Sequence, residues 1–243
     1  MKSAVLFGAT SEIGQALIHE LCDQAYSQVT FVGSSEKNAI THSGKHVSYI
    51  EQNWSDLTNL ESLPGKFASL KPIDLVVVSV GYASEEILQM DIQRFKKSVE
   101  ANLLWPVICL KALSDAQRMS KSTQVILISS ALVDLPRTGK SFVYASLKKA
   151  TEEIVVESLR SSSLSGNVIL LRPGYVPTKL NAQLPAGSFP STPAKIAARV
   201  AKKIRSGKTN GVIYAPLGIA TLAFSVKLLP RWLTKIALQI AER

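Results

Sequence analysis

Short apolar runs alternate along this chain with longer stretches in which apolar residues recur every three or four positions. The runs that we interpret as β-strands lie at 3–7, 28–33, 46–53, 73–81, 124–128, 167–172 and 211–216. The run at 73–81 is apolar almost throughout, which is typical of a parallel strand buried on both faces. Six or seven strands that alternate with helices predict a Rossmann-type α/β fold, in which a doubly wound parallel sheet forms the middle of three layers.

Helical periodicity is found in the stretches 9–22, 84–119, 141–160 and 194–205. Apolar residues on one side of such a stretch are expected where a helix packs against a sheet. The stretch 181–193 is rich in Pro and Ser and lacks periodicity, so it predicts a loop that covers the substrate.

The size and composition of the chain allow one sizeable domain. Its 243 residues are 46% hydrophobic, which is enough for a packed core. We place this domain at residues 1–216 and treat residues 217–243 as a C-terminal tail. The sequence starts with a strand and shows no secretory signal, so we expect a cytoplasmic protein, which lies at the inner face of the membrane if its tail is an anchor.

Cysteine and histidine residues do not form a ligand pattern. Cys22 and Cys109 lie in apolar helical patterns without Cys-x-x-Cys spacing, which favours two buried thiols. His42 and His46 are four residues apart but have no third ligand nearby. We therefore expect no disulfide and no metal site.

The formal net charge of +10 is concentrated near the C-terminus. From Lys195 to Arg243 there are ten Lys or Arg residues and one acid, which gives +9 for the last fifth of the chain. These basic residues alternate with Leu, Ile and Ala and lack interleaved aromatic residues, which disfavours nucleic acid as a partner. An anionic membrane surface or an acidic substrate fits this pattern better.

The tail itself has an apolar part and an amphipathic part. Residues 217–229 are apolar but too few to span a bilayer securely, which takes about 20 residues. In residues 230–243 one helical face carries Trp232, Leu233, Ile236 and Ile240. This pattern is typical of a peripheral membrane anchor, and a helix packed on the domain or on a second subunit is the alternative.

The first strand leads through a glycine turn into the first helix. The residues of this turn that we expect beside a dinucleotide are Gly8, Thr10, Ser11, Glu12, Ile13 and Gly14. A strand, a Gly turn and a helix direct backbone N–H groups and the helix N-terminus at a pyrophosphate. A turn with a purely structural role is the alternative.

The end of the second strand bears on the choice of cofactor. An Asp or Glu about twenty residues after the glycine turn would bind the ribose 2′-hydroxyl of NAD, but this sequence has Ser34 there. Ser34 and the nearby Lys37 suit the 2′-phosphate of NADP(H), which we favour over NAD(H). Because Glu36 lies close by, NAD(H) stays an alternative cofactor.

Residues 129–150 contain the candidate catalytic side chains. Tyr144 and Lys148 are four residues apart in a predicted helix, so the phenol and the ammonium lie one turn apart on one face. A cation within about 4 to 6 Å lowers the pKa of a phenol toward the working pH, which suits proton exchange with a carbonyl oxygen. A strand ends just before Ser130, whose hydroxyl can hold the substrate oxygen. Because a Tyr-x-x-x-Lys pair also arises by chance, the pair carries weight only with these surroundings.

Taken in order, these features resemble the short-chain dehydrogenase/reductase family. The resemblance covers residues 3–216 and rests on Gly8, Gly14, Asn102, Ser130, Tyr144, Lys148, Pro173 and Gly174. It implies that Tyr144 is the general acid/base, that Lys148 lowers its pKa and holds the nicotinamide ribose, and that Ser130 positions the carbonyl. Asn102 is implied to anchor a water in the proton relay, although an Asn in a helix also serves to hydrogen-bond its neighbours.

Two departures from the family pattern are visible. Glu12 replaces a Gly of the turn, where its carboxylate must point to solvent if it is not to crowd or repel the phosphates. Val78-Ser79-Val80-Gly81 replaces an Asn-Asn-Ala-Gly box, so a backbone role of Gly81 beside the cofactor is all that is retained.

Further cofactor contacts are implied by the resemblance. Asn53 and Trp54 lie at the end of the third predicted strand, where they are adenine neighbours or simply pack within a loop. After the sixth strand the residues that match the family motif Arg-Pro-Gly-x-Val-x-Thr are Pro173, Gly174, Val176 and Thr178. In relatives the Val and Thr of this motif meet the nicotinamide carboxamide and phosphate.

A closer similarity is to the actinobacterial decaprenylphosphoryl 2-keto-sugar (erythro-pentofuranosid-2-ulose) reductases. It rests on the segments around Glu12 and Tyr144 and on the basic, apolar C-terminus, and it implies reduction of a lipid-linked 2-keto sugar at the membrane. Because dimers and tetramers are usual among short-chain dehydrogenase/reductase relatives, the default expectation is a homo-oligomer. A reductase of another hydrophobic ketone, such as a ketoacyl or steroid-like compound, is an alternative. A non-catalytic NAD(P)-binding sensor or partner module is a second alternative, favoured by the two departures and disfavoured by the intact Ser, Tyr and Lys set.

Overall fold

The computed structural model describes residues 2–22, 26–34, 46–58, 60–82, 91–134, 142–162, 164, 167–181, 190–218, 220, 221 and 225. The sequence-based predictions for Glu36, Lys37 and His42 fall outside these residues. So do most of the loop 181–193 and nearly all of the tail 217–243.

Seven parallel strands form one sheet. They are β1 (Lys2–Phe7), β2 (Tyr26–Gly33), β3 (His46–Glu51), β4 (Leu75–Val78), β5 (Gln124–Ile128), β6 (Val168–Pro173) and β7 (Gly211–Ala215). Their order across the sheet is β3-β2-β1-β4-β5-β6-β7, and every neighbouring pair is parallel. The predicted Rossmann-type fold is confirmed.

Six α-helices connect or follow these strands in the described residues. They are α1 (Glu12–Leu21), α2 (Leu63–Phe67), α3 (Ile92–Val99), α4 (Trp105–Asp115), α5 (Phe142–Ser161) and α6 (Pro193–Arg205). A π-helical segment, Glu100–Leu104, joins α3 to α4, and short 3₁₀ turns lie at Leu60–Ser62, Ala131–Asp134 and Lys179–Asn181.

The helices cover both faces of the sheet and produce two apolar cores. On one face α1 and α6 pack over side chains such as Leu6 and Ile126. On the other face α2, α4 and α5 pack over side chains such as Phe7 and Leu127. Because successive strand residues point to opposite faces, almost every residue of the central strands is buried, which explains their unbroken apolar runs.

Among the differences between predicted and observed bounds, two have an identifiable reason. The fourth strand is Leu75–Val78 and not 73–81, because Ser79 and the residues after it leave the sheet at its carboxyl edge. The helical pattern in 84–119 is interrupted near Pro106, which has no backbone N–H to donate to the carbonyl four residues earlier. The chain forms the π segment there, a feature that often marks functional sites.

Cys22 and Cys109 are buried free thiols, as predicted. Within the part of the chain that the structure describes, no helix is both long enough and apolar enough to cross a bilayer.

Candidate active site

The strand order reverses between β1 and β4, and this switch point opens a crevice at the carboxyl edge of the sheet. In open α/β sheets, ligands bind in such a crevice. Gly8 follows β1, Ser79 follows β4, and Ser129 follows β5, so residues from three strand ends meet at this edge. The fold therefore brings the predicted glycine turn beside the predicted catalytic segment.

The glycine turn needs glycine at two positions. Gly8 has a φ of +88°, and a Cβ there would lie 2.8 Å from the backbone oxygen of Ser79. A Cβ on Gly14 would lie 2.7 Å from Cδ1 of Leu6, so glycine allows α1 to approach β1 closely. Ser11 caps α1, because its hydroxyl accepts a hydrogen bond from the Gly14 N–H at 3.1 Å.

Glu12 has a partner that the sequence did not indicate. Its Oε2 accepts a hydrogen bond from the backbone N–H of Lys179 at 2.9 Å. The carboxylate is therefore not simply directed into solvent, as the sequence analysis required of it. Instead it joins the first turn of α1 to the segment that follows Thr178, across the carboxyl edge of the sheet.

Ser130, Tyr144 and Lys148 come together as predicted. Ser130 is buried just after β5, and its hydroxyl hydrogen-bonds the Tyr144 phenol. Tyr144 is half-buried in the first turn of α5. The Lys148 ammonium, one turn later on α5, lies 5.9 Å from the centre of the Tyr144 ring.

The Lys148 ammonium is held by two strand ends. Its Nζ donates to the carbonyl oxygens of Val80 at 3.2 Å and Ile128 at 3.4 Å. Burial lowers the pKa of Lys148 to about 8, and the negative charge of Glu152 opposes part of that shift. An ammonium has three donors, so these two carbonyls leave one N–H for a ligand in the crevice.

The pKa of Tyr144 moves in the direction opposite to the prediction. We expected Lys148 to lower this pKa, but burial raises the pKa of Tyr144 to about 12, and the Ser130 hydrogen bond offsets only part of the increase. The physical reason is that the free energy lost when a phenolate is removed from water exceeds the free energy gained from its attraction to a cation 5.9 Å from the ring. The phenol is consequently protonated at neutral pH.

Asn102 and Gly81 support this arrangement. The buried Asn102 amide accepts from the Tyr82 N–H at 3.1 Å and donates to the Tyr82 carbonyl at 2.8 Å, which fixes the chain beside Gly81. A Cβ on Gly81 would lie 3.1 Å from Nζ of Lys148 and 3.3 Å from Oδ1 of Asn102. The side chain of Asn102 therefore has a structural task, and its place in a proton relay stays a prediction.

Thr151 was not singled out from the sequence. Its hydroxyl donates to the backbone carbonyl of Asn102 at 2.6 Å, which joins α5 to the π segment. Pro106 lies four residues after Asn102 and has no backbone N–H to donate to that carbonyl. The Asn-x-x-x-Pro spacing in the sequence therefore indicated that the Asn102 carbonyl needs another donor.

The remaining predicted residues lie around the crevice with varied exposure. Ser34 and Thr10 are exposed, whereas Ile13 is half-buried. Asn53 is exposed, and its side-chain oxygen accepts from the Ser55 N–H at 3.0 Å. Their contacts with a cofactor stay predictions.

Trp54 takes part in packing. Its ring meets the Trp105 ring edge to face with 5.2 Å between centres, and the Trp105 indole N–H donates to the Trp54 carbonyl. The loop-packing alternative thus describes its side chain, and an adenine contact stays a prediction.

The Arg-Pro-Gly-x-Val-x-Thr segment continues β6 past the sheet edge. The Gly174 N–H donates to the Ala215 carbonyl at 2.9 Å, so β6 and β7 stay paired up to the motif. Pro173 and Val176 are buried, and Thr178 is half-buried. This segment lies next to the Glu12 contact described above.

A network around Arg172 was also missed. Arg172 is buried and pairs with Glu152 and Asp134. The signal in the sequence was spacing, because Glu152 lies four residues after Lys148 and Asp134 lies four after Ser130. Glu152 follows Lys148 by one turn of the same α-helix.

The donor set of the crevice fits a nicotinamide dinucleotide. The N-terminus of α1 and the exposed Thr10 hydroxyl offer donors to a diphosphate, and one Lys148 N–H remains for a ribose hydroxyl. The absence of a side chain on Gly81 leaves a cradle beside that ammonium. Glu12 adds a negative charge at the turn, and its hydrogen bond with Lys179 holds that charge in place.

Comparisons with known proteins agree with this geometry. Residues 2–188 match the short chain dehydrogenase family. No curated protein matches the chain. An alcohol dehydrogenase from the archaeon Thermococcus sibiricus, complexed with 5-hydroxy-NADP, is 23% identical with a TM-score of 0.70 over 88% of this chain and 94% of that one.

Two bacterial structures are similar to the same extent. A short-chain dehydrogenase from Burkholderia cenocepacia in complex with NADP is 19% identical, with a TM-score of 0.75 over 94% of this chain and 95% of that one. A short-chain dehydrogenase from Streptomyces avermitilis is 17% identical, with a TM-score of 0.76 over 99% of this chain and 95% of that one. At these identities the structures establish the fold. The family match spans most of the chain, and on that ground the protein belongs to the short-chain dehydrogenase family and is an oxidoreductase.

Proposed function

We propose that this protein is an NADP(H)-dependent carbonyl reductase that uses Tyr144 as its proton donor. The observation that carries the proposal is the meeting of Ser130, Tyr144 and Lys148 at the switch point of the sheet. A hydroxyl, a protonated phenol and an ammonium in one crevice are the groups that a carbonyl needs as it becomes an alcohol.

Each residue has a defined task in this reaction. The Ser130 hydroxyl donates a hydrogen bond to the substrate carbonyl oxygen and holds it beside the phenol. Tyr144, which is protonated at neutral pH, gives its proton to that oxygen. Lys148 stabilises the negative charge that develops on the phenol oxygen, and Asn102 keeps the neighbouring backbone in place.

A reduced nicotinamide supplies the hydride when it is bound. The glycine turn from Gly8 to Gly14 would hold its diphosphate, and Lys148 would hold its ribose. Val176 and Thr178 would lie beside the nicotinamide. Ser34 at the end of β2, where an acid would select NAD(H), supports NADP(H). The Thermococcus and Burkholderia proteins were complexed with NADP-type ligands.

The substrate we propose is an anionic, lipid-linked 2-keto sugar at a membrane surface. Support comes from the charge of +9 in the last fifth of the chain and from the exposed basic residues of α6, which include Lys195, Lys202 and Lys203. In this proposal residues 217–243 form an anchor outside the catalytic domain 1–216. A ketoacyl or steroid-like ketone is the second candidate, because the same catalytic groups serve any carbonyl of suitable shape.

The test of the reductase is NADPH consumption with a panel of ketones that includes a lipid-linked keto sugar. We expect turnover in the parent, a loss of at least about a thousandfold in Tyr144→Phe, and parent activity in Tyr26→Phe, a control on the outer part of β2. Tight NADPH binding without turnover of any ketone would instead favour a sensor.

The membrane contact is tested separately. Deleting residues 217–243 is expected to release the protein from vesicles that contain anionic lipid, because it removes the apolar segment and four of the ten basic residues in the last fifth of the chain. Equal vesicle binding by the full and shortened proteins would contradict the anchor.

A further inference from the structure

A group of four side chains, three of them buried, lies behind the candidate active site, and the reaction described above gives it no role. Arg172 donates from Nε and Nη2 to the two carboxylate oxygens of Glu152, at 2.8 and 2.5 Å. Its Nη1 donates to Oδ2 of Asp134 at 2.5 Å and to the Tyr214 hydroxyl at 3.0 Å. The Tyr214 hydroxyl donates to the same Asp134 oxygen at 2.5 Å. The side chains of Arg172, Glu152 and Asp134 are 6%, 1% and 5% exposed.

The position of this network along the chain relates it to catalysis. Asp134 ends the 3₁₀ turn that begins directly after Ser130. Glu152 lies two helical turns after Tyr144 on α5. Arg172, on β6 between them, therefore connects the segment that carries the Ser130 hydroxyl to the helix that carries the Tyr144 phenol.

Stability is a weak explanation for such a network. Burying three charged groups costs desolvation energy, and apolar residues of similar volume often give equal or greater stability. What a guanidinium offers in addition is geometry, because its donors lie in one rigid plane and fit a carboxylate in a single orientation. The Arg172 guanidinium thus holds Asp134, which follows β5, and Glu152, on α5, at a fixed separation.

We propose that Arg172 is a positioning residue: by bridging Asp134 and Glu152, it holds the Ser130 hydroxyl and the Tyr144 phenol at the separation that one carbonyl oxygen requires. Position matters at this scale, since a misplacement of about 1 Å can reduce an enzymatic rate about a hundredfold. The inference about geometry stands on this structure, and its effect on rate rests on the proposed reductase function.

The charges indicate which substitutions test the bridge cleanly. Arg172 with both acids has a net charge of −1, with Lys149 at the rim 3.7 Å from Glu152. Either Asp134→Asn or Glu152→Gln leaves a neutral ion pair and keeps an acceptor for the guanidinium. Asp134→Asn is the cleaner of the two, because Glu152→Gln also removes the negative charge that acts on Lys148. Removing Arg172 would leave two buried carboxylates without their cation, so loss of folding would obscure its role.

The first experiment uses the protein alone and measures position without activity. 3-Fluorotyrosine is placed at position 144 and its ¹⁹F NMR resonance is recorded. We expect Asp134→Asn and Glu152→Gln each to shift the resonance by more than its linewidth, in the direction that Ser130→Ala shifts it. The control, Glu157→Gln, removes an exposed acid of the same helix that pairs with Arg160, and the resonance should stay in place. A resonance in Asp134→Asn that superimposes on that of the parent would overturn the proposal.

The second experiment separates a bridge from two independent acids. With a ketone that the parent reduces, each single variant is expected to lower kcat about tenfold. Asp134→Asn, which leaves the charge beside Lys148 in place, should keep the Kd for NADPH within twofold. Because either substitution loosens one end of the same bridge, the double variant should lose about as much as one single variant. Losses that multiply, or an unchanged kcat, would overturn the proposal. If the parent reduces no ketone, the reductase function fails while the ¹⁹F result still decides the positioning.

Discussion

Gly81→Ala is expected to damage the active site while leaving the fold intact. The added Cβ would lie 3.1 Å from Nζ of Lys148, whereas ordinary contacts of a Cβ begin at 3.4 Å. The ammonium must therefore move by about 0.3 Å or more, and the Asn102 amide, at 3.3 Å, leaves it little room. The Lys148 hydrogen bonds to the Val80 and Ile128 carbonyls are already 3.2 and 3.4 Å long, so this movement lengthens or breaks at least one.

Gly81→Ala should change cofactor binding and turnover more than it changes the free energy of unfolding. A hydrogen bond from a charged group contributes about 1.5 to 3 kcal/mol, so a displaced Lys148 should raise the Kd for NADPH about tenfold and lower kcat/KM by about ten- to a hundredfold. Stability should change by less than about 1 kcal/mol, because the atom that must move is the end of a flexible side chain and alanine reduces the entropy of the unfolded chain.

The assay is fluorescence titration with NADPH, steady-state kinetics and urea unfolding on the same preparations. The matched control is Gly65→Ala in α2, where an added Cβ meets no atom within 4 Å. We expect the control to keep the parent Kd and rate. Parent values of Kd and rate in Gly81→Ala would refute the assignment of Gly81 and Lys148 to the cofactor cradle.

Three further predictions concern Lys148, Gly8 and Asn102. Lys148 has a pKa of about 8, so it loses its charge as the pH rises through that value. We therefore expect kcat/KM for NADPH to be constant below pH 8 and to fall above it. A profile that stays flat up to pH 10 would contradict the role of the ammonium. Gly8→Ala places a Cβ at a residue with a φ of +88°, where it clashes with the backbone of Ser79. The free energy of unfolding, measured in urea, should fall by at least about 2 kcal/mol. A smaller loss would mean that the turn can rearrange. Asn102→Ala leaves the Tyr82 N–H and carbonyl unpaired and should cost about 3 kcal/mol in the same assay, whereas a cost below about 1 kcal/mol would show that water replaces the amide.

The order of elements and the candidate catalytic side chains could be predicted from local pattern. Buried parallel strands are apolar on both faces, so runs such as 124–128 stand out without any tertiary information. Tyr144 and Lys148 are one turn apart on a helix whatever surrounds them, because helical geometry alone brings residues i and i+4 together. The separate strands, the glycine turn and the Tyr-Lys pair therefore follow from residues near one another in the chain, whereas the pairing of strands that brings them together does not.

The tertiary structure decided the properties that depend on burial and on contacts distant in sequence. Local spacing suggested that Lys148 lowers the pKa of Tyr144, but desolvation, which only the packed structure determines, raises that pKa. Trp54 packs on Trp105, and Glu12 meets the Lys179 N–H 167 residues away, contacts that no short segment encodes. Hydrophobic pattern specifies which elements form, whereas electrostatic free energies and long-range partners arise only when those elements exclude water from one another.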